Sequence, residues 1–193
     1  KILKEYIVDE DIISLFSEII HSFYSTKAGI GLPLGNLTSQ LLVNIYMNEF
    51  DQFVKHTLKE KYYIRYTDDF IIVHHDRSHL EKLQTHIEKF LHDTLKLSLH
   101  PDKVSMRKYS QGIDFLGYVV HPSAITLRTK TKNRIIRKIH ERAIQFKREI
   151  TSESALAQTF ASYMGVLEHA NTYKLKQEIN HDLWTVLKNL DSA

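Results

Sequence analysis

The chain has 193 residues, 42% of them hydrophobic and 25% charged, with a net charge of +3 and no cysteine. That length supports one sizeable core, or one domain with an appendage. The lack of cysteine excludes disulfides and thiolate metal sites. No apolar run is long enough to span a bilayer, and no secretory leader opens the chain, so a cytoplasmic protein with no membrane partner is the default expectation. The chain begins at Lys1 inside a helical pattern and without methionine, which predicts a piece of a longer protein.

Ile2, Leu3, Tyr6 and Ile7, then Ile12, Ile13, Phe16, Ile19, Ile20 and Phe23, recur at helical spacing, with Asp9 placed to cap the second of two helices. They are read as scaffold. Ser25 to Gly35 holds three of the six glycines and one of the three prolines, and is expected to be a loop. Asn36 to Gln40 is a polar helix start, and Leu41 to Leu58 reads as one long helix whose apolar residues cover nearly its whole circumference. Such a helix is expected to be buried, running under a sheet. Backbone N–H groups at its start, preceded by flexible glycine, form a seat for phosphate or for the face of a nucleotide.

The rest of the chain is organised around Tyr62 to Val73, two apolar half-strands with Asp68 and Asp69 where they meet. The aspartates are expected at a hairpin tip. Adjacent carboxylates repel, so a pair held at a sheet edge makes most sense if a divalent cation shares them. A hard, oxygen-ligated ion such as Mg²⁺ suits that donor set, with Mn²⁺ as its substitute. Alone, an Asp-Asp pair is more often just a polar turn; its surroundings give it weight.

After the hairpin, His75 to Ser78 caps a third helix with an apolar stripe of Leu80, Leu83, Ile87, Phe90, Leu91 and Leu95. The histidines on its other side, His79, His86 and His92, are expected to be solvated, since no metal-ligand spacing occurs among them. Short strands are expected at Val104 to Tyr109, Ile113 to His121 and Ala124 to Arg128. An antiparallel sheet with helices packed on one face makes this an α+β fold. From Thr129 the character changes to a small helical bundle. Ile135, Ile136, Ile139, Ala143, Phe146 and Ile150 form an apolar stripe, and two further helices follow around Ala155 to His169 and Tyr173 to Leu190. Arg128 to Arg148 holds nine Lys/Arg and one Glu, a local charge of +8 that leaves −5 on the remainder. Such polarisation suits an anionic partner on one side, most often nucleic acid.

The order of these parts resembles a reverse transcriptase: Gly31-Leu32-Pro33-Leu34-Gly35-Asn36-Leu37-Thr38-Ser39-Gln40, Tyr66-Thr67-Asp68-Asp69, Lys103, Phe115-Leu116-Gly117, then the basic bundle. Within that family, Leu34 to Gln40 looks most similar to the bacterial enzymes of diversity-generating retroelements, with group II intron and retron enzymes as near relatives. The resemblance implies a polymerase-type palm with a primer-grip hairpin over residues 1–128 and a helical thumb over 129–193. It implies an RNA-directed DNA polymerase that takes an RNA template, a DNA primer and dNTP, often with an accessory protein. Asp68 and Asp69 would be catalytic and hold Mg²⁺ or Mn²⁺. Pro33, Leu34, Gly35, Ser39, Gln40 and Tyr66 would line the nucleotide pocket, and Lys103 would help protonate pyrophosphate. Phe115, Leu116 and Gly117 would grip the primer, while Arg134, Arg137, Lys138 and Arg142 would track the duplex backbone.

Two departures qualify this picture. Leu34 stands where many relatives carry a polar residue, which implies looser base selection. The family also carries a further aspartate on a strand upstream of the residues that resemble Ile2 to Phe23, and no aspartate before Asp68 has a strand-like context, so the chain alone is expected not to polymerise. The alternative reading from another class is a non-catalytic RNA-binding scaffold derived from such an enzyme.

Overall fold

The first two helices, Ile2–Tyr6 (α1) and Glu10–His21 (α2), are separated by Asp9, whose carboxylate accepts from the N–H groups of Asp11 at 2.9 Å and Ile12 at 3.1 Å. This satisfies donors that a helix start leaves unpaired. The structure, a computed structural model, describes residues 1–22 and 37–188. Read from the sequence as scaffold, these two helices bury none of their residues among the described ones; Ile12, Leu15 and Ile20 all stand exposed.

Helix Leu37–Gln52 (α3) runs on into a single π-helical turn, Phe53–Thr57. It is not buried all round. Met47, Phe50 and Val54 are buried, whereas Leu37, Leu41 and Tyr46 are exposed, so a single stripe at a spacing of three to four residues meets the core. The strands Tyr63–Tyr66 (β1) and Asp69–Ile72 (β2) pair antiparallel, with Tyr63 opposite Ile72 and Tyr66 opposite Asp69. Strand alternation sends Tyr63 and Arg65 to one face and Ile64 and Tyr66 to the other. Phe50 meets Phe70 edge-on at 4.9 Å, and Phe53 stacks on Phe90 at 4.1 Å. Phe90 belongs to Arg77–Asp93 (α4), capped by Asp76, whose Leu83, Ile87 and Leu91 are buried. The first core is therefore α3 and α4 with one face of the hairpin.

These elements lie in the first of two compact units, Lys1–Val104 and Ser105–Ala193. The second unit opens with a three-stranded antiparallel sheet, Ile113–Phe115 (β3), Tyr118–Val120 (β4) and Ile125–Leu127 (β5), in that order. The stretch expected as one strand from Ile113 to His121 is two, because Leu116 and Gly117 turn the chain with φ of +52° and +88°. Such a pair of left-handed residues is the tight hairpin connection whose twist matches its strands. The strand expected at Val104 to Tyr109 is absent. Alternation fails at Lys108, and a 3-10 turn, Tyr109–Gln111, follows.

Three helices complete this unit: Thr129–Lys147 (α5), Glu153–Glu168 (α6) and Tyr173–Lys188 (α7). Ile135, Ile139, Leu167, Leu175 and Ile179 form their shared core. Ile150, expected on the apolar stripe, lies beyond the end of α5 and is exposed. The sheet is tied to the helices by Tyr118, whose hydroxyl donates to the Val166 carbonyl at 3.0 Å, and by the Asn171 N–H, which donates to the Ile125 carbonyl at 2.7 Å. The sequence changes character at Thr129; the compact units part earlier, so the sheet is grouped with the helices that follow it.

Taken together, small antiparallel sheets with helices packed against them make this an α+β protein. Among the described residues, no helix is long and apolar enough to cross a membrane.

Candidate active site

Thr67 and Asp68 form the turn between β1 and β2, and Asp69 is the first residue of β2. Both aspartates are exposed. Thr67 has φ of +54°, an outlier for a β-branched residue. Its hydroxyl donates to Asp68 Oδ1 at 2.9 Å. No hydrogen bond or ion pair to the Asp69 side chain occurs among the described residues, so its carboxylate faces water with its lone pairs free.

Beneath the turn lies a polar cluster that sequence reasoning did not single out. Arg65 Nε donates to Asp51 Oδ1 at 2.8 Å and Nη2 to Asp51 Oδ2 at 2.5 Å, a two-pronged pair. Arg65 Nη1 donates to the Thr67 carbonyl at 2.7 Å and to Asn44 Oδ1 at 3.3 Å. The Tyr63 hydroxyl donates to Asp51 Oδ1 at 2.6 Å. Asn44 and Asp51 are seven residues apart on α3, two turns, and so face the hairpin together. The Arg65 side chain is only 10% exposed. The sole sequence signal was strand alternation, which places Arg65 on the same face as Tyr63, toward the core, where an arginine must find a partner.

The electrostatics follow from this geometry. Partial burial pushes the Asp51 carboxyl up, but the hydrogen bonds from Arg65 and Tyr63 and the Arg65 charge outweigh it, and the group lies below its ordinary value. Burial first, and then the bond to Asp51, pushes the Tyr63 hydroxyl well above its ordinary value. The bond to Asp51 raises Arg65, against the opposing effect of burial.

The other residues singled out in the sequence fall in several places. Tyr66 is exposed and pairs across the hairpin with Asp69. Ser39 and Gln40 lie in the first turn of α3; Ser39 is buried, and its hydroxyl has no partner among the described residues, while Gln40 is exposed. Pro33, Leu34 and Gly35 lie outside the described residues. Lys103 ends a 3-10 turn, Pro101–Lys103, with no hydrogen bond or ion pair to the carboxylate turn. Phe115 closes β3, and Leu116 and Gly117 are its turn. Arg134 is exposed and unpaired among the described residues. Arg137 and Lys138 both reach Glu141, at 3.6 and 2.9 Å, and the bond from Lys138 first of all holds that carboxyl below its ordinary value. Arg142 donates to Gln145 at 3.2 Å and to Thr151 at 3.4 Å. Lys138 and Arg142 line a polar groove of about 420 Å³ between α5 and α6, with Gln158, Thr159 and Ser162 opposite.

His79 departs from its expected solvated state. Its Nε2 lies 2.7 Å from Oε1 of Glu60, a buried carboxylate, and its ring lies against His74.

The site is thus a hairpin with two adjacent carboxylates at its turn, braced from below onto a helix in an α+β unit. Residues 2–120 match the family described as Reverse transcriptase (RNA-dependent DNA polymerase), and the chain belongs to that family. It is also 28% identical to Protein YkfC of Escherichia coli (strain K12), over 47% of this chain and 32% of that protein. The chain thus spans about a third of the length of the curated relative it matches.

Proposed function

We propose that this chain is the palm and thumb part of an RNA-directed DNA polymerase of the bacterial retroelement kind, acting in the cytoplasm. In the reaction, the primer 3′ oxygen forms a bond to the α-phosphorus of a dNTP while the bond from that phosphorus to the bridging oxygen breaks and pyrophosphate leaves. The primer hydroxyl loses its proton, and pyrophosphate takes one, for which Lys103 is the candidate donor. The observation that carries this reading is the pair Asp68 and Asp69 at a braced hairpin turn, in a chain matched over residues 2–120 by the reverse transcriptase family.

The donor set fits a hard divalent cation, Mg²⁺ or Mn²⁺: two exposed carboxylates on adjacent residues, with no soft ligand beside them. Asp68 and Asp69 would hold it. Once bound, the cation offsets the charge that develops on the phosphate oxygens. Among the described residues, no third histidine, aspartate or glutamate joins the pair. The reading includes a further carboxylate from a longer parent, and the chain alone is not expected to extend a primer.

Pro33 to Gln40, with Tyr66, would shape the nucleotide pocket, and Phe115 to Gly117 would hold the primer end. Arg134, Arg137, Lys138 and Arg142 would follow the duplex backbone as sequence-independent phosphate contacts. An accessory protein would complete the set of partners.

A second reading, an RNA-binding scaffold without catalysis, is favoured by one observation, the polar groove flanked by Lys138 and Arg142. Primer extension on an RNA template with Mg²⁺ separates the two. It compares this chain, the chain within its longer parent, and that parent carrying Asp68→Ala. Extension by the unmutated parent alone supports the polymerase; RNA binding by an inactive parent supports the scaffold.

A further inference from the structure

Arginine presents five N–H donors in a planar fork. In this hairpin, three donor nitrogens of Arg65 make four hydrogen bonds: two to the Asp51 carboxylate, one to Asn44 and one to the Thr67 carbonyl. None goes to Asp68 or Asp69, so its charge is matched by Asp51 rather than by the carboxylates of the turn. The one backbone group it binds belongs to the residue with the left-handed conformation, Thr67 at φ +54°. A β-branched residue in that region is strained, and such a conformation persists only where its surroundings hold it. Here the surroundings are the two-residue turn closed by Tyr66 and Asp69, the bond from the Thr67 hydroxyl to Asp68, and, from outside the hairpin ladder, one guanidinium fixed at a part-buried position by the two turns of helix between Asn44 and Asp51.

We propose that Arg65 is the positioning residue of the Asp68–Asp69 turn: it transfers the geometry of α3 to the Thr67 carbonyl, and so sets the direction in which the two carboxylates project. Asp51 is the anchor of this device, because it fixes the guanidinium plane through two parallel bonds. Tyr63 supports the anchor by donating to the same carboxylate oxygen as Arg65 Nε. Lysine in place of Arg65 keeps the charge but loses the fork, since an ammonium cannot bind both oxygens of Asp51 and the Thr67 carbonyl in fixed relation. The assignment rests on the polymerase reading only for its consequence in catalysis; the mechanical coupling stands on the hydrogen bonds themselves.

The test has two readouts. On the 193-residue chain, Mn²⁺ is titrated in while the amide resonances of Thr67, Asp68 and Asp69 are followed by NMR, for the unmutated chain, Arg65→Lys and Asp51→Asn. Within the longer parent, the same variants are assayed for primer extension at saturating dNTP. Weaker selective broadening at Thr67–Asp69 in both variants, with the α5–α7 resonances unchanged, is the expected result. A fall in kcat of ~10-fold or more, with KM for dNTP changed less than about twofold, should accompany it, since misplaced reacting groups cost one to two orders of magnitude in rate. If Arg65→Lys does not fold, Asp51→Asn decides alone, because it keeps shape and one acceptor oxygen.

If the unmutated parent fails to extend a primer while the variants still lose Mn²⁺ broadening, the polymerase reading fails and the positioning role stands. Broadening unaltered in a folded variant overturns the positioning role. So does a variant whose kcat is unchanged.

Discussion

The Tyr63 hydroxyl donates to Asp51 Oδ1 at 2.6 Å, the same oxygen that accepts from Arg65 Nε at 2.8 Å. Partial burial favours the protonated form of this carboxyl, but so many donors outweigh it, and Asp51 lies below its ordinary value. A carboxyl depressed in the folded state contributes stability above its unfolded value, and that contribution is lost as pH falls through the folded value. The hairpin unit is therefore expected to weaken in acid, beginning near the ordinary carboxyl range. Asp51→Asn should lower the urea midpoint at neutral pH and close much of the gap to the unmutated chain once the pH falls below that range. A gap of constant size throughout would show that Asp51 is not responsible.

Glu60 is buried and His79 is its side-chain partner, reaching across from α4. Leaving a buried polar group without its hydrogen-bond partner costs about 1–3 kcal/mol. The His79 side chain is 39% exposed, so water recovers part of that loss. His79→Ala is expected to destabilise the first unit by about 1–2 kcal/mol. His79→Ala together with Glu60→Gln should recover part of it, because no unpaired carboxylate is then left inside. Chemical denaturation of the single and double variants provides the check.

Phe50 is fully buried and touches Tyr63, Phe70 and Phe90, linking α3, the hairpin and α4. Phe50→Ala is expected to cost about 3–5 kcal/mol, the range for deleting a buried aromatic ring. Calorimetry that resolved a loss below about 1 kcal/mol would mean that the hairpin does not rest on this ring.

Two glycines should respond in opposite directions. Gly117 has φ of +88°, and a Cβ there would lie 3.0 Å from Thr131 Oγ1, so Gly117→Ala is expected to destabilise the second unit by more than about 1 kcal/mol. Gly165 sits within α6, and a Cβ there would meet nothing within 4 Å. Gly165→Ala should stabilise by about 0.5–1 kcal/mol, the helix preference of alanine over glycine. Thermal melts of the two variants should move to opposite sides of the unmutated chain.

For the proposed nucleic-acid contact, Arg134 and Arg128 make a useful pair. Arg134 has no partner among the described residues, whereas Arg128 is bonded to Asp114. If Arg134 contacts a phosphate, Arg134→Gln should reduce the slope of log K against log salt for RNA–DNA duplex binding by about 1. Arg128→Gln should change it less. Equal slopes for all three proteins would remove Arg134 from the interface.

Much of the candidate site is legible in local sequence. Asp68 and Asp69 stand between two runs of aromatic and β-branched residues, and only Thr67 to Asp69 suit a turn, so local chemistry alone places them at a hairpin tip. The caps at Asp9 and Asp76 and the stripe from Leu83 to Leu91 are equally local matters of spacing. Other features are not legible because they depend on residues brought together from a distance. Apolar content suggests that α3 is buried all round, but only contact with the hairpin and α4 selects Met47, Phe50 and Val54 as its inner stripe. His79 reads as solvated, yet the fold brings Glu60, nineteen residues earlier, to its side. The turn inside Ile113 to His121 is hidden because Leu116 takes a left-handed conformation that its side chain disfavours.

The sequence by itself determined the hairpin, its two carboxylates, the helix caps and the basic helix, because each arises from side chains within a few residues of one another. Only the tertiary structure decided how the carboxylate turn is held. Arg65 meets Asp51 and Asn44 from fourteen and twenty-one residues away, and nothing short of packing β1 against α3 sets those distances.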